Sequence, residues 1–263
     1  MIDIHSHVLW GIDDGSTSLE MSKAMLQLAW QQGTRTMVFT PHVIEEAYKP
    51  SWSVIKEKTQ QLEKWLKQSL PDMQVYPAAE VQMNWNLLSE LAVNGSYCIN
   101  GGEYMLVELP MEEIPFYADN FWYELELKGI RPILAHPERY LRLMRHKELL
   151  LKWRERGLLL QCNSGSLVGY FGKQVQENAL FLLQSDLIDF LGSDAHRDNL
   201  RTPDMIPAAQ LIRERAGEER LQRITVDNPK LLLANKPIAI SKPQINVVQK
   251  KKNFWQKILG KLV

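Results

Sequence analysis

The chain has 263 residues, with 31 lysines and arginines balanced by 31 aspartates and glutamates, 45% hydrophobic residues and two cysteines. These values are typical of a soluble protein with one well-buried domain, and the neutral total argues against a general nucleic-acid-binding protein. Two cysteines cannot form a disulfide framework, so we expect a reducing, cytoplasmic setting.

Short apolar segments alternate with longer segments of helical period, and this alternation predicts an α/β fold with a mainly parallel sheet. In chain order the seven predicted strands are Met1–Ile4, Thr36–Thr40, Gln74–Ala79, Tyr104–Leu109, Ile133–Ala135, Leu158–Cys162 and Leu187–Gly192. The first helix is the clearest, because Met21, Met25 and Leu28 share one apolar face. Thr17 and Glu20 can form its capping box. Further helices are predicted at roughly 50–70, 114–128, 174–184 and 204–216.

The C-terminal residues differ in charge from the rest of the chain. A globular body over residues 1–235 is followed by residues 236–249, which contain two prolines and little helical pattern and are interpreted as a linker. Residues 250–263 contain five lysines and no acid, so this tail carries +5 and residues 1–249 carry −5.

The apolar residues of the tail recur at helical spacing among the lysines; they are Phe254, Trp255, Ile258, Leu259 and Leu262. This basic amphipathic pattern suits peripheral contact with an anionic membrane surface or an acidic partner, and a disordered solubilising tail is the alternative. The chain starts without the basic and apolar regions of a signal peptide, and its apolar runs are too short to cross a bilayer. We therefore expect a cytoplasmic protein, at most peripheral to the inner face of the membrane.

Five of the six histidines and several isolated acids fall at the C-terminal ends of predicted strands. They are His5 and His7 after the first strand, His42 after the second, Glu80 after the third, Glu108 at the end of the fourth, His136 after the fifth, and Asp194 and His196 after the seventh. In an α/β barrel the loops that follow the strands converge at this edge and build the active site. The sequence therefore predicts one shared site.

The spacing of these residues favours metal binding. His5 and His7 are two positions apart, so in an extended segment both imidazoles point to one face, and Asp194 and His196 repeat this geometry. Asp14, in a polar turn, can reach the same mouth. Nine nitrogen and oxygen ligands exceed the need of one ion and predict two or three divalent ions, with Mn²⁺, Fe or Zn²⁺ favoured.

Taken singly, each of these residues has a plainer explanation as a helix cap or a salt-bridge partner. That explanation does not account for the placement of all of these residues after successive strands. His146, in a charged helical stretch, is interpreted as a solvated surface residue.

Several short motifs occur together in order. They are HSH at 5–7, GIDDGS at 11–16, TPH at 40–42, the isolated Glu80, ELP at 108–110, AHPER at 135–139, SGS at 164–166 and SDAH at 193–196. In these motifs and their spacing, the chain from residue 1 to about 235 resembles the polymerase and histidinol phosphatase (PHP) superfamily. More narrowly, it resembles the PHP-type bacterial protein-tyrosine phosphatases of capsule and exopolysaccharide operons.

This resemblance implies a distorted (β/α)₇ TIM-like barrel with a trinuclear metal centre and a preference for Mn²⁺. It assigns three sets of ligands, namely His5, His7, Glu80 and Asp194 to one ion, Glu80, Glu108 and His136 to a second, and Asp14, His42 and His196 to a third. Closely spaced ions lower the pKa of a bridging water, which gives a hydroxide nucleophile, and they clamp the phosphate oxygens for in-line displacement.

The resemblance also places Arg139 and Arg201 on the phosphate, which a planar guanidinium can hold bidentately. Simple solubility is the alternative for a loop arginine. The implied substrate is a phosphotyrosine protein, in particular a membrane-associated bacterial tyrosine kinase, in the regulation of capsular or exopolysaccharide synthesis.

Other functions compete with this one. A cysteine phosphatase needs a C-x5-R loop, and the residues six positions after Cys98 and Cys162 are Tyr104 and Val168, so that mechanism is excluded. The same metal cage would serve a histidinol phosphatase or another small-molecule PHP phosphoesterase, which is the alternative among enzymes. A non-catalytic binding module that holds metal for stability is the alternative from a different class, and the complete ligand set counts against it.

Overall fold

The strands of the computed structural model, which describes residues 1–89, 91 and 95–241, are short and all pair in parallel. They are β1 (Ile2–Asp3), β2 (Thr36–Phe39), β3 (His42–Val43), β4 (Gln74–Pro77), β5 (Glu80–Gln82), β6 (Tyr104–Glu108), β7 (Arg131–Ala135), β8 (Leu159–Asn163) and β9 (Phe190–Gly192).

Helices connect these strands and cover the outside of the sheet. They are α1 (Leu19–Gln31), α2 (Trp52–Ser69), α3 (Ala118–Leu127), α4 (Leu141–Arg145), α5 (Lys147–Glu155), α6 (Ser164–Leu167), α7 (Lys173–Gln184), α8 (Ile206–Ala216), α9 (Glu218–Gln222) and α10 (Asn228–Leu233). Short 3₁₀ turns at Trp85–Ser89, Ile99–Gly101 and Pro137–Arg139 and a π-helical turn at Arg223–Asp227 complete the connections.

The sheet is curled and consists of two ladders, β1-β2-β4 and β3-β5-β6-β7-β8-β9. The predicted second and third strands are each followed by a further short strand, and His42 and Glu80 begin these strands, β3 and β5. The break after β2 includes Pro41, which has no N–H to give to a ladder. A parallel bridge between Ser6 and Ala195 joins the first segment to the last. The distorted (β/α)₇ barrel is therefore confirmed, with nine short strands along its seven segments.

Alternate residues of each strand pack on opposite sides of the sheet. Val38, Leu106, Ile133 and Phe190 belong to a cluster inside the barrel, whereas their neighbours in sequence pack with the helices outside. Both faces of the sheet are thus buried, which explains why strands such as β2 and β6 do not alternate apolar and polar residues. The interior cluster fills the barrel, so the candidate site lies at its rim.

The first helix begins one residue later than its predicted capping box requires. Ser18, and not Thr17, is the N-cap, and its side chain accepts a hydrogen bond from the Met21 backbone N–H at 3.1 Å. Helix α1 buries Met25 and Ala29, but of the predicted apolar face Met21 and Leu28 are only half-buried, and Leu26 is buried in addition. The capping box was therefore wrong by one position, although the helix itself was correct.

The opposite end of the barrel is covered by the residues that follow α10. The Tyr104 hydroxyl donates to the Lys236 carbonyl at 2.7 Å, and Ile238 and Ile240 pack against the interior cluster. The first residues of the predicted linker therefore contact the body. The rest of that linker and the basic tail at 250–263 lie outside the described residues, and these domain limits stay a prediction. Within the described ranges, no helix has both the length and the apolar character needed to cross a membrane.

Candidate metal centre

The nine predicted ligands converge in one cleft at the C-terminal edge of the barrel, and Glu80 lies at its centre. Oε2 of Glu80 lies 3.2 Å from Nε2 of His5 and 3.3 Å from Nε2 of His7. The same oxygen lies 3.2 Å from Nδ1 of His42, and the other carboxylate oxygen lies 2.8 Å from Nε2 of His136. One buried carboxylate thus faces four imidazoles from three parts of the chain.

The other acids complete this ring of donors. Oδ1 of Asp194 lies 3.4 Å from Nε2 of His7 and 3.6 Å from Nδ1 of His196. Oδ1 of Asp14 lies 3.4 Å from Nε2 of His196. Oε1 of Glu108 lies 3.1 Å from Nδ1 of His42.

The donor atoms fall into four overlapping groups, each compact enough to surround an ion. They are His5, His7 and Glu80; His42, Glu80 and Glu108; His5, His136 and Asp194; and His7, Asp14, His42 and His196. Two of the expected ligand sets recur almost unchanged, whereas His136 groups with His5 and Asp194 and not with Glu108. The partition of ligands among ions stays a prediction.

Several donor atoms in this cleft are buried without a hydrogen-bond partner. They are Nδ1 of His42, Oε2 of Glu80, Oε1 of Glu108 and Nε2 of His196. A buried polar atom without a partner costs about 1–3 kcal/mol, and a bound cation would satisfy these atoms together. The residues present therefore fit a cluster of divalent cations held by nitrogen and oxygen ligands.

Backbone geometry turns two of the ligands into the cleft. His136 and Asp194 each follow a strand and have φ angles of +34° and +53°, a left-handed conformation that costs L residues roughly 1–3 kcal/mol. Gly192, at the end of β9, allows close packing beneath the site, because a Cβ there would lie 2.6 Å from the Cβ of His5. The backbone is thus strained where side chains must leave a strand and point inward.

A chain of buried amides on β8 orients two of the predicted ligands. Nδ1 of His5 donates to Oε1 of Gln161 at 2.9 Å, and Nε2 of Gln161 donates to Oδ1 of Asn163 at 2.9 Å. Nδ2 of Asn163 then donates to Oδ2 of Asp194 at 2.6 Å. Sequence reasoning missed both amides, although two polar residues at alternate positions of an otherwise apolar strand are a signal that could have identified them.

Asp13 holds the opposite side of the cleft. Its Oδ2 accepts from Nδ1 of His7 at 2.8 Å and from the backbone N–H of His42 at 3.1 Å, and its Oδ1 accepts from the Gly15 N–H at 2.9 Å. The proton on Nδ1 leaves Nε2 of His7 free to act as a ligand. Sequence reasoning selected the neighbouring Asp14 and missed this residue, which lies in the same GIDDGS motif.

Both predicted phosphate-binding arginines lie at the rim and share one partner. Arg139 and Arg201 contact Oδ2 of Asp194 through terminal guanidinium nitrogens, at 3.0 and 2.6 Å. Their side chains are 20% and 23% exposed, so each keeps a face toward the open mouth. The structure therefore places two fixed positive charges beside the carboxylates and imidazoles.

The central carboxylate is held ionised. Burial raises the pKa of Glu80, but the surrounding imidazoles, led by His5 and His42, more than compensate and hold its pKa well below the usual range. For Glu108, burial and the neighbouring Glu80 charge raise the pKa. The charges of these two neighbouring carboxylates thus disfavour each other, and divalent cations bound between them would relieve that repulsion.

Two of the imidazoles are held neutral. Burial, together with Arg139, lowers the pKa of His136 to about 4. Burial and the neighbouring His7 likewise lower the pKa of His196 to about 4. Neutral imidazole is the form that binds a metal, so these two side chains are ready to act as ligands at neutral pH.

The residues assigned no role in the chemistry lie elsewhere. The His146 side chain is 63% exposed and pairs with Glu148, as its surface interpretation predicts. Both cysteines are buried, and burial raises the pKa of Cys98 to about 12 and that of Cys162 well above its usual value. Neither thiol is therefore ionised as a nucleophile would be.

Comparison with known proteins gives a consistent result. Residues 1–234 match the model of a protein family described as capsular polysaccharide synthesis, CpsB/CapC. The chain is 36% identical over 245 residues to tyrosine-protein phosphatase YwqE of Bacillus subtilis, covering 93% of this chain and 96% of that protein. It is 29% identical over 243 residues to tyrosine-protein phosphatase CpsB of Streptococcus pneumoniae, covering 90% and 100% of the two chains.

The fold is similar as well. A chain from the crystal structures of YwqE and CpsB, described as metal-dependent tyrosine phosphatases, superimposes with a TM-score of 0.86 at 35% identity. The match covers 93% of this chain and 98% of that chain. The resemblance drawn from the sequence motifs is thus confirmed across the body of the protein.

Proposed function

This chain belongs to the CpsB/CapC family of capsular polysaccharide synthesis proteins, and from that premise we propose that it is a metal-dependent tyrosine-protein phosphatase. The observation that carries the proposal is the convergence of nine nitrogen and oxygen donors, with two arginines beside them, in a single cleft. Relatives that cover nearly the whole chain are named tyrosine-protein phosphatases, which favours this activity over hydrolysis of a small phosphate ester.

Two or three divalent ions, with Mn²⁺ as the first choice, would be held by nine side chains. The ligands are His5, His7, Asp14, His42, Glu80, Glu108, His136, Asp194 and His196. When bound, such ions supply Lewis-acid polarisation of the phosphate oxygens and activation of a water molecule. Gln161 and Asp13 keep the Nδ1 protons of His5 and His7 in place, so that Nε2 of both rings would be available to a metal ion.

Arg139 and Arg201 bind the phosphate of the substrate. Their guanidinium groups are fixed at one end by Asp194 and face the open cleft at the other. A phosphoryl group that enters between them exchanges part of that contact for charge-assisted hydrogen bonds to its own oxygens. These two side chains thereby orient the ester for in-line attack.

The substrate is a phosphotyrosine protein that acts in capsular or exopolysaccharide synthesis, and a membrane-associated bacterial tyrosine kinase is the specific candidate. Hydrolysis of a phosphotyrosine peptide is to be compared with hydrolysis of histidinol phosphate, each with added Mn²⁺ and after chelation. We expect hydrolysis of the peptide that depends on the metal. Preference for histidinol phosphate would instead support the small-molecule phosphoesterase and reject the substrate proposed here.

The basic tail at 250–263 is proposed to hold the enzyme near this partner at the cytoplasmic face of the membrane. Its five lysines and interleaved apolar residues support contact with an anionic surface. Deletion of residues 250–263 is expected to weaken association with anionic liposomes and with the kinase. Unchanged association with both would reject this role.

A further inference from the structure

A second cleft, of about 250 Å³, opens beside the candidate metal centre. Its rim carries three large apolar side chains, Val168, Tyr170 and Leu200, which are 43%, 49% and 61% exposed. Exposed apolar residues scattered singly need no explanation, but several around one concave surface indicate a binding site. The volume is smaller than the roughly 300–1,000 Å³ of pockets for small-molecule ligands, so it suits a single side chain.

The turn between α6 and α7 forms one wall of this cleft. Gly169 and Gly172 have φ angles of +86° and +91°, which glycine adopts readily, and they bracket Tyr170 and Phe171. The Tyr170 N–H donates to the Gly165 carbonyl at 2.9 Å, and the Gly172 N–H donates to the Gly169 carbonyl at 3.1 Å. The two aromatic rings are therefore presented by a turn that its own hydrogen bonds hold in place.

The cleft is continuous with the phosphate end of the candidate active site. Arg201 lines both cavities. The centroid of the Phe171 ring lies 4.6 Å from the guanidinium carbon of Arg139 and 5.6 Å from that of Arg201. Both distances are within the range of cation–π contact. One aromatic ring thus touches both phosphate-binding arginines on one side and forms part of the apolar cleft on the other.

We propose that this cleft is a substrate subsite that takes a large apolar side chain flanking the phosphotyrosine of a protein substrate. The proposal rests on the proposed tyrosine phosphatase activity. On an extended peptide, side chains two positions apart point to the same side about 7 Å from each other, so a flanking side chain enters alongside the phosphotyrosine, where Arg201 lines both cavities. The cleft accordingly distinguishes peptides by their flanking residues and does not act on the phosphate itself.

The test compares two phosphotyrosine peptides that are identical except that the residues flanking the phosphotyrosine are Leu or Ser. The small ester p-nitrophenyl phosphate serves as a substrate without flanking residues. We expect the wild-type protein to favour the Leu peptide by roughly tenfold in kcat/KM, the effect of burying part of one apolar side chain. The double variant Val168→Ser/Tyr170→Ser should lose this preference and hydrolyse p-nitrophenyl phosphate at the wild-type rate.

A matched control is the double variant Tyr123→Ser/Leu127→Ser on α3. These side chains are 51% and 63% exposed and do not line the cleft, so the control should keep the preference. Val168→Trp tests the same cleft by filling it, and it should lower kcat/KM for the Leu peptide alone. Thermal unfolding of each variant checks that the fold is intact.

Each outcome separates the subsite from the activity. Equal kcat/KM for the two peptides in the wild-type protein, or an unchanged preference in the double variant, would overturn the subsite and leave the phosphatase proposal standing. A parallel loss on p-nitrophenyl phosphate would also overturn the subsite, because the cleft would then act through the metal centre. Hydrolysis of p-nitrophenyl phosphate without hydrolysis of either peptide would reject the proposed function and the subsite with it.

Discussion

Nδ1 of His5 donates a hydrogen bond to Oε1 of Gln161 at 2.9 Å, although the two residues are 156 positions apart in the chain. An amide oxygen can only accept, so Nδ1 carries a proton and Nε2, which faces Glu80, is the nitrogen available to a metal ion. A single buried amide on β8 therefore sets both the tautomer and the direction of a candidate metal ligand.

Replacing this amide tests its role in orientation. Gln161→Met keeps a similar volume but removes the acceptor, so we expect Mn²⁺ affinity to fall by roughly 10–100-fold. Titration of the metal-free protein with Mn²⁺ measures this directly. The exposed Gln61 of α2 gives a control, because Gln61→Met should leave the affinity unchanged. Equal affinities in the two variants would contradict an orienting role for Gln161.

Conservative substitution of Arg139 or Arg201 should lower kcat/KM without loss of bound metal, unlike substitution of a metal ligand. Arg139→Lys and Arg201→Lys each keep the positive charge but lose the planar fork, so we expect kcat/KM for a phosphotyrosine peptide to fall by about 10–100-fold. Steady-state kinetics measure this change, and metal analysis of the same samples should show no loss of bound ions. The exposed Arg142 of α4 provides the control substitution Arg142→Lys. Wild-type kinetics in both rim variants would show that neither arginine binds the phosphate.

Substitution of His136 tests the metal site, and the same substitution of His146 is its control. His136 is buried against Glu80, whereas the His146 side chain is 63% exposed. We expect His136→Ala to lose bound metal and phosphatase activity together, and His146→Ala to retain both. The measurement is metal content by mass spectrometry alongside peptide hydrolysis. Retention of metal and activity by His136→Ala would refute its assignment as a ligand.

A buried ion pair away from the candidate site should contribute to the stability of the fold. Arg154 on α5 and Asp189 before β9 are both almost fully buried, and they pair through two nitrogen–oxygen contacts, one of 2.9 Å. Asp189→Ala leaves the arginine charge buried and unpaired, so the free energy of unfolding should fall by about 3–5 kcal/mol.

Urea unfolding measures this loss of stability. The control is the exposed pair of Glu63 and Lys67 on α2, where Glu63→Ala should cost only about 0.3–0.5 kcal/mol. A similar small cost at Asp189 would mean that the buried pair adds no more than a surface pair does.

The periodicity of the sequence predicted a mainly parallel α/β fold, and the family resemblance implied the barrel and the two arginines. In the structure all eleven candidate site residues lie at one edge, because strand ends in a parallel barrel meet there. The sequence did not predict that His42 and Glu80 begin short strands of their own. That outcome depends on the curl of the sheet, which transfers the chain from one ladder to the next. Apolar periodicity reports which residues are buried and carries no signal for such a transfer.

The supporting residues were harder to find for a related reason. Gln161 and Asn163 bind neighbours that come from distant parts of the chain, so their partners become visible only in the folded structure. Ser18 took the capping position that Thr17 was expected to fill, because both residues are good caps and local sequence did not decide between them. The candidate ligands could thus be predicted from spacing, whereas the contacts that orient them could not.

The most direct test of this account is the hydrolysis of a phosphotyrosine peptide by one preparation of the protein before chelation, after chelation and after addition of Mn²⁺. Because the candidate site is built from metal-binding side chains around Glu80, we predict that activity disappears with the metal and returns with it. Full activity in the metal-free protein would contradict the central claim, since the cluster would then have no part in catalysis.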